Sequence, residues 1–169
     1  MILEEYYRAG YPIVAVEVAD ELHFQEVIRN YFAHSDSRPV MRIDSTGQLK
    51  QMVTDAVIAT DVTFADAFDR AINEECVLVV YDWYRVADNF GAIGYRGLLN
   101  RINDLRSCCS FIILVAPFWQ LPVEIRLYIP IVSFPLPTRK ELRNALETVK
   151  ESAKLQNIDN ELENAVLDS

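Results

Sequence analysis

The residues best placed to do chemistry lie at the ends of apolar segments. Residues 76–81 form an uninterrupted apolar run, and Asp82 follows it directly. An acid at the end of a buried strand is typical of sites that hold Mg²⁺, although many buried strands end on aspartate. The next residue is Trp83, whose indole N–H only donates and cannot take a proton from water. We therefore treat Asp82 as a candidate cofactor-binding residue and predict no catalytic residue beside it.

A phosphate site is not predicted after the first apolar strand, residues 13–18. Phosphate loops need glycines whose backbone N–H groups approach the phosphates, followed by a lysine and a hydroxyl residue. The segment here reads Ala-Asp-Glu at residues 19–21, and no part of the sequence supplies GxxxxGK[ST]. Asp20 is expected to cap the following helix with its own carboxylate, at the place where a phosphate would sit.

The remaining polar residues do not form a local catalytic or metal-ligating group. The two histidines, His23 and His34, are too far apart in the sequence to be a local ligand pair. An enzyme of another class would use Glu17, Asp44, Asp82 or a cysteine, assembled only in space. The sequence itself predicts neither a catalytic residue nor a metal site.

Composition excludes several classes of function. The chain has 169 residues, is 51% hydrophobic and carries a net charge of -9, so we expect one acidic domain with a substantial core. An acidic surface repels phosphate backbones, which argues against nucleic acid as a partner. No apolar run approaches the length of a membrane span. Three cysteines, two of them adjacent, favour a reducing compartment.

The apolar pattern predicts an α/β fold. Short apolar runs alternate with segments of helical spacing, which indicates a mostly parallel, three-layer sheet with helices on both faces. The five predicted strands are 13–18, 39–43, 76–82, 111–116 and 131–134. The stretch 49–58 is interpreted as a loose helix. We expect one domain at residues 1–153, followed by a polar tail or the start of a helical lid at 154–169.

Four segments together resemble the AAA-type ATPases. They are Tyr-Pro-Ile-Val at 11–14, Val-Leu-Val-Val-Tyr-Asp-Trp at 77–83, Phe-Ile-Ile-Leu-Val-Ala-Pro at 111–117 and Ile-Val-Ser-Phe-Pro-Leu-Pro at 131–137. The last is the most specific, since in AAA modules such a strand leads into the helical lid. The chain is similar over residues 7–167 to the degenerate N-terminal ATPase-like domain of the plastid and cyanobacterial open-reading-frame group.

The resemblance implies a P-loop-NTPase-like sheet whose five strands have the order 5-1-4-3-2. Asp82 matches the magnesium-binding acid, whereas Trp83 replaces the catalytic glutamate and Pro117 replaces the sensor residue. Arg126 lies near the place of an arginine finger, but the match there is poor. We therefore expect a non-catalytic chain with no cofactor, and expect ATP and Mg²⁺ only in an active module beyond Ser169.

Two functions stay open at this stage, besides another class of enzyme. The first is a role in assembly or in binding protein partners, among them the parent ATPase module. We expect the full-length protein to form an oligomer and to reside in the cytoplasm or plastid stroma. The competing interpretation of its aromatic candidates is that they pack in the core. The candidate partner-binding residues are Trp83, Tyr84, Phe90, Phe118 and Trp119. The alternative is weak nucleotide binding without hydrolysis in a pocket near Asp82.

Overall fold

A computed structural model describes residues 2–35, 38–85 and 92–153. The chain divides into two compact units, residues 1–134 and residues 135–169. The helices are α1 Ile2–Arg8, α2 Glu21–Ser35, α3 Phe64–Glu74, α4 Ala92–Ser107, α5 Val123–Arg126 and α6 Arg139–Ala153. The strands are β1 Ile13–Glu17, β2 Val40–Ile43, β3 Leu49–Gln51, β4 Val57–Ala59, β5 Val77–Tyr81, β6 Phe111–Ala116 and β7 Ile131–Ser133.

The first unit is built on a mixed sheet of seven strands in the order β4-β3-β2-β5-β6-β1-β7. Its five parallel strands are the five that the sequence predicts, in the predicted order. β1 lies between β6 and β7, with Val16 opposite Val115 and Val132. The three central strands β1, β5 and β6 are short, mostly apolar runs buried on both faces, as such strands must be when helices cover both sides of a sheet.

The prediction of five strands is wrong at one edge of the sheet. The stretch 49–58, interpreted as a loose helix, contributes antiparallel strands β3 and β4 beside β2. Met52, next to β3, is fully buried, and its carbonyl accepts a hydrogen bond from Arg29 on α2. Arg42 of β2 donates two hydrogen bonds to Asp55, which holds the pKa of that carboxyl below its usual range. Tertiary anchors of this kind override a weak local pattern.

Each face of the sheet packs against its own helices. Phe24 and Ile28 of α2 join Leu3 of α1 on one face, all of them almost fully buried. Phe68 of α3 and Leu98 of α4 belong to the core on the other face. Among the described residues, no helix is long and apolar enough to cross a membrane.

The second unit begins at residue 135 and contains α6. A capping box formed by Thr138 and Glu141, three residues apart, starts this helix. The Thr138 hydroxyl and backbone N–H both donate to the Glu141 carboxylate at 2.7 Å, and Glu141 N–H donates back to the hydroxyl at 3.3 Å. The predicted tail at 154–169 lies outside the described residues.

A second capping box fixes the start of α3, and its loss is expected to be measurable. Thr63 accepts a hydrogen bond from Asp66 N–H at 3.1 Å, and Thr63 N–H donates to the Asp66 carboxylate at 3.2 Å. Thr63→Ala should lower the free energy of unfolding by about 1 kcal/mol, because it leaves an N-terminal N–H without its cap. Urea denaturation measures the loss, and Thr60→Ala at an exposed neighbouring position is the control. Equal stabilities of the two variants would contradict the assignment.

Candidate functional site

The carboxyl ends of the parallel strands are where α/β folds bind ligands, and the end of β1 is closed by the chain itself. Only residues 18–20 connect β1 to α2. As predicted, Asp20 caps the helix: its carboxylate accepts a hydrogen bond from His23 N–H at 3.0 Å, and its carbonyl accepts one from Phe24 N–H at 3.1 Å. A carboxylate therefore occupies the positive end of the α2 dipole.

Glu17, the last residue of β1, ties three chain segments together. One carboxylate oxygen accepts a hydrogen bond from the backbone N–H of Trp119 at 3.1 Å, and the other accepts one from the Ser133 hydroxyl at 3.1 Å. Trp119 also donates its indole N–H to the carbonyl of Val16 at 3.0 Å. The carboxylate thus serves as an acceptor that joins β1, the segment after β6, and β7.

Asp82 follows β5, as expected, and adopts a left-handed backbone conformation with a φ of 59°. Its side chain, about one-third exposed, accepts a hydrogen bond from the Ser45 hydroxyl at 3.0 Å. The Arg85 guanidinium lies 3.5 Å from the other carboxylate oxygen. Asp82 is therefore accessible but already has a hydroxyl donor and a cation beside it. Its role as a cofactor-binding residue stays a prediction.

Two of the five aromatic candidates lie in the core. Trp83 is 4% exposed and Trp119 is 6% exposed, and their rings lie 6.2 Å apart. Trp83 also packs edge-on against Tyr95 of α4 at 5.4 Å and against Phe68 of α3 at 6.5 Å. This arrangement favours the packing interpretation for both tryptophans, because a partner does not reach a ring that is already covered.

The other aromatic candidates differ from the tryptophans in exposure. Tyr84 is half-buried, packs edge-on against Trp119 at 6.1 Å, and accepts a hydrogen bond from Arg85 at 2.9 Å. Phe118 is 62% exposed, beside the buried Trp119. Phe90 lies outside the described residues. Of this group, Tyr84 and Phe118 keep the accessibility that partner binding requires.

A cleft of about 480 Å³ opens between the start of α3, the middle of α4 and the loop after β2. Most of its wall is apolar, and four polar side chains line it as well. The apolar and glycine residues are Gly47, Val62, Phe64, Ala65, Phe68, Trp83, Gly94, Gly97 and Leu98, and the polar ones are Asp44, Ser45, Thr63 and Arg101. The volume is within the range of ligand pockets.

Sequence reasoning proposed a pocket near Asp82 but missed the walls of this cleft on α3 and α4, and it missed the hydrogen bonds of Glu17. Glu17 gives a local signal, since it ends an otherwise apolar strand, but its partners Trp119 and Ser133 are more than a hundred residues away. The cleft depends on the separation of two helices, which no local pattern reports. Gly94 and Gly97, three residues apart on α4, were the available hint, because a glycine pair leaves one helix face open.

The core of five parallel strands, with helices on both faces, has the architecture of an AAA+ ATPase domain. Three solved structures are similar to it. The first is a DNA replication initiation factor with a TM-score of 0.54 and 12% identity, and the match covers 99% of this chain and 54% of that one. Domain III of the replication initiation protein DnaA from Thermotoga maritima has a TM-score of 0.57 and 12% identity, and the match covers 98% of this chain and 72% of that one. C. elegans PCH-2 has a TM-score of 0.54 and 11% identity, and the match covers 95% of this chain and 49% of that one. At such identities the likeness shows the fold alone, and the chain spans about half the length of the first structure.

The family follows from a match of sequence rather than of shape. The chain belongs to the family described as the N-terminal domain of SpoVK-like AAA ATPases, whose model matches residues 2–134. No curated protein matches the chain significantly. The resemblance to AAA-type ATPases that the four sequence segments suggest is thereby confirmed. The matched region ends at Phe134, where the first compact unit also ends.

Proposed function

We propose that this chain is a non-catalytic, ATPase-like N-terminal domain of an AAA-family ATPase and that it acts in assembly or partner binding. Membership of a family of AAA ATPase N-terminal domains supports a parent ATPase. Under this proposal the chain takes no cofactor, and ATP and Mg²⁺ belong to an active module outside it. Its partners are other proteins or the parent ATPase module, in the cytoplasm or plastid stroma.

The observation that carries the proposal is the closed end of β1. An NTPase needs a run of backbone N–H groups around the phosphates and a lysine that reaches them. Here the carboxylate of Asp20 accepts the N–H of His23, one of the free N–H groups in the first turn of α2, and the connection offers three residues without a glycine. A triphosphate would meet this negative charge and that of the exposed Glu21. Both charges oppose an anionic ligand.

The second support comes from the position next to Asp82. A hydrolytic site needs a base that activates water, whereas Trp83 is buried in an aromatic cluster and has no basic atom. The exposed ring of Phe118 and the half-buried ring of Tyr84 lie on segments that follow neighbouring strands. Exposed aromatic side chains of this kind are enriched in protein interfaces.

Weak nucleotide binding without hydrolysis remains the alternative, and one feature favours it. Asp82 follows β5 at an accessible place, with the Ser45 hydroxyl 3.0 Å away. A carboxylate and a hydroxyl oxygen are suitable ligands for Mg²⁺. The Arg85 guanidinium beside Asp82 competes with a cation at that carboxylate but attracts a phosphate.

Calorimetric titration of the purified chain with Mg-ATP and Mg-ADP separates the two functions. We expect no saturable heat at millimolar nucleotide and no thermal shift, because the phosphate position is occupied by a carboxylate. A matched pair of variants makes either result interpretable: Asp82→Asn at the candidate residue, and Asp104→Asn at an exposed position of α4. Saturable binding that only Asp82→Asn abolishes would replace the proposed function by the alternative.

A further inference from the structure

The cleft between α3 and α4 has an apolar interior. The rings of Phe68 and Trp83, each 4% exposed, form part of its wall. Gly97 leaves further room, since a Cβ at that position would meet only the end of the Arg101 side chain, at 3.7 Å. The space therefore accommodates a large apolar group that approaches from solvent.

The polar side chains of the wall already have partners within the domain. Ser45 donates to Asp82, and the Asp44 carboxylate accepts from Thr46 N–H at 2.9 Å. Thr63 is the cap of α3, and the Arg101 guanidinium binds both carboxylate oxygens of Asp69 at 2.6 and 3.0 Å. Because these polar side chains are engaged within the domain and most of the wall is apolar, an apolar side chain fits this interior better than a polar small molecule.

The rim of the cleft is acidic. Asp44 lines it, and Asp61 lies beside it because the next residue, Val62, donates its N–H to the carbonyl of Gly47 at 3.0 Å. In the part of the chain that the structure describes, neither Asp44 nor Asp61 forms an ion pair. Lysine or arginine next to an apolar anchor would therefore be attracted to this rim, and acidic residues would be repelled.

We infer that the cleft is the docking pocket for a peptide segment of a partner protein, with one aromatic or large aliphatic anchor flanked by lysine or arginine. The anchor enters between Trp83 and the open face of α4 at Gly97, and the basic residues face Asp44 and Asp61. This inference rests on the proposed function and gives its partner a chemistry. It differs from the Phe118 surface, which lies after β6.

Panning a phage-displayed random peptide library on the full chain tests the inference without a known partner. Enriched peptides are synthesised with a fluorescent label, and their dissociation constants are measured by polarisation. We expect enrichment of sequences with an aromatic residue or leucine beside lysine or arginine. Gly97→Leu, which fills the cleft, should weaken their binding about tenfold or more. Asp61→Asn should weaken it about threefold at low salt and less at high salt.

Controls keep the result attributable to the cleft. Asparagine tolerates the left-handed backbone at Asp61, where φ is 57°, so this variant should fold even if Gly97→Leu does not. Leu22→Ala is the matched control at an exposed apolar residue elsewhere, on α2. Peptides that bind Gly97→Leu or Asp61→Asn as tightly as the parent chain, or a library without enrichment, would overturn the inference.

The outcomes also separate this inference from the proposed function. If Phe118→Ala abolishes peptide binding while Gly97→Leu leaves it unchanged, the domain binds a partner, but on another surface. If the chain binds Mg-ATP saturably in the calorimetric test, the nucleotide-binding alternative replaces the proposed function whatever the peptides do. A basic, aromatic peptide sensitive to both cleft variants supports the inference and the partner-binding role together.

Discussion

Trp119→Ala is expected to lower the free energy of unfolding by about 3–5 kcal/mol, the usual cost of deleting a large buried aromatic side chain. The ring is 6% exposed and contacts Trp83 and Tyr84, so its loss leaves a cavity where the segment after β6 meets the core. It also removes the donor to the Val16 carbonyl, a buried acceptor at the end of β1. Such a loss is a large fraction of the stability of a domain this size.

Urea denaturation followed by far-ultraviolet circular dichroism measures this loss without relying on tryptophan fluorescence. Phe118→Ala is the matched control, because Phe118 is the adjacent residue and is 62% exposed. We expect that control to change the free energy of unfolding by less than about 0.5 kcal/mol. A Trp119→Ala domain as stable as the parent would refute the packing interpretation and restore Trp119 as a binding residue.

The pair of neighbours also shows how far a sequence determines the aromatic candidates. Trp119 and Phe118 both follow an apolar strand, and nothing in their types or spacing separates a core ring from a surface ring. Trp119 is the buried one of the two because the Glu17 carboxylate and the Val16 carbonyl hold its backbone and indole over the end of β1. Those acceptors lie more than a hundred residues away in the sequence, so local patterns do not report them.

The parallel strands were predictable for a physical reason. Strands that are buried on both faces read as uninterrupted β-branched and apolar runs, as Phe111–Ala116 does, and such runs have few alternatives. The hairpin at β3 and β4 was not predictable in this way. Its strands have three residues each, and Val57 and Ile58 are partly exposed, so neither helical nor alternating periodicity develops.

In the candidate site, too, the features that depend on neighbouring residues were predictable and those that depend on distant segments were not. Asp20 as a cap and Asp82 at the end of β5 follow from local chemistry, since capping and strand ends are signalled within a few residues. The cleft is formed by α3, α4 and the loop after β2, which only the sheet brings together. A sequence therefore reports the closed phosphate position more readily than the open cleft between α3 and α4.

Alkaline pH is expected to destabilise the domain through Cys76. This thiol has no solvent exposure, and burial, together with the nearby Glu74, raises its pKa to about 12. An unfolded cysteine loses its proton at about pH 8.5, so between that pH and about 12 the folded state binds the extra proton. The free energy of unfolding should therefore fall by up to about 1.4 kcal/mol per pH unit in this window.

Burial, with the nearby Glu21, also raises the pKa of Tyr81, whose hydroxyl has no hydrogen-bond partner among the described residues. Since its pKa is about 10 when unfolded, Tyr81 adds to the same trend only at higher pH. The Cys76 thiol therefore dominates the trend between about pH 8.5 and 10, where an unfolded tyrosine is still at least half protonated.

Urea denaturation at several pH values, with a phosphine reductant present, tests the assignment through Cys76→Ala. At pH 7 this variant should be less stable than the parent by about 1 kcal/mol, because it leaves a small cavity in the core. As the pH rises to 10, the parent should lose that advantage, since only the parent has the buried thiol, whose ionisation favours the unfolded state. Cys109→Ser, at an exposed cysteine, should follow the parent curve. Parallel curves for the parent and Cys76→Ala would mean that the buried thiol ionises in the folded domain, and that this part of the core admits charge.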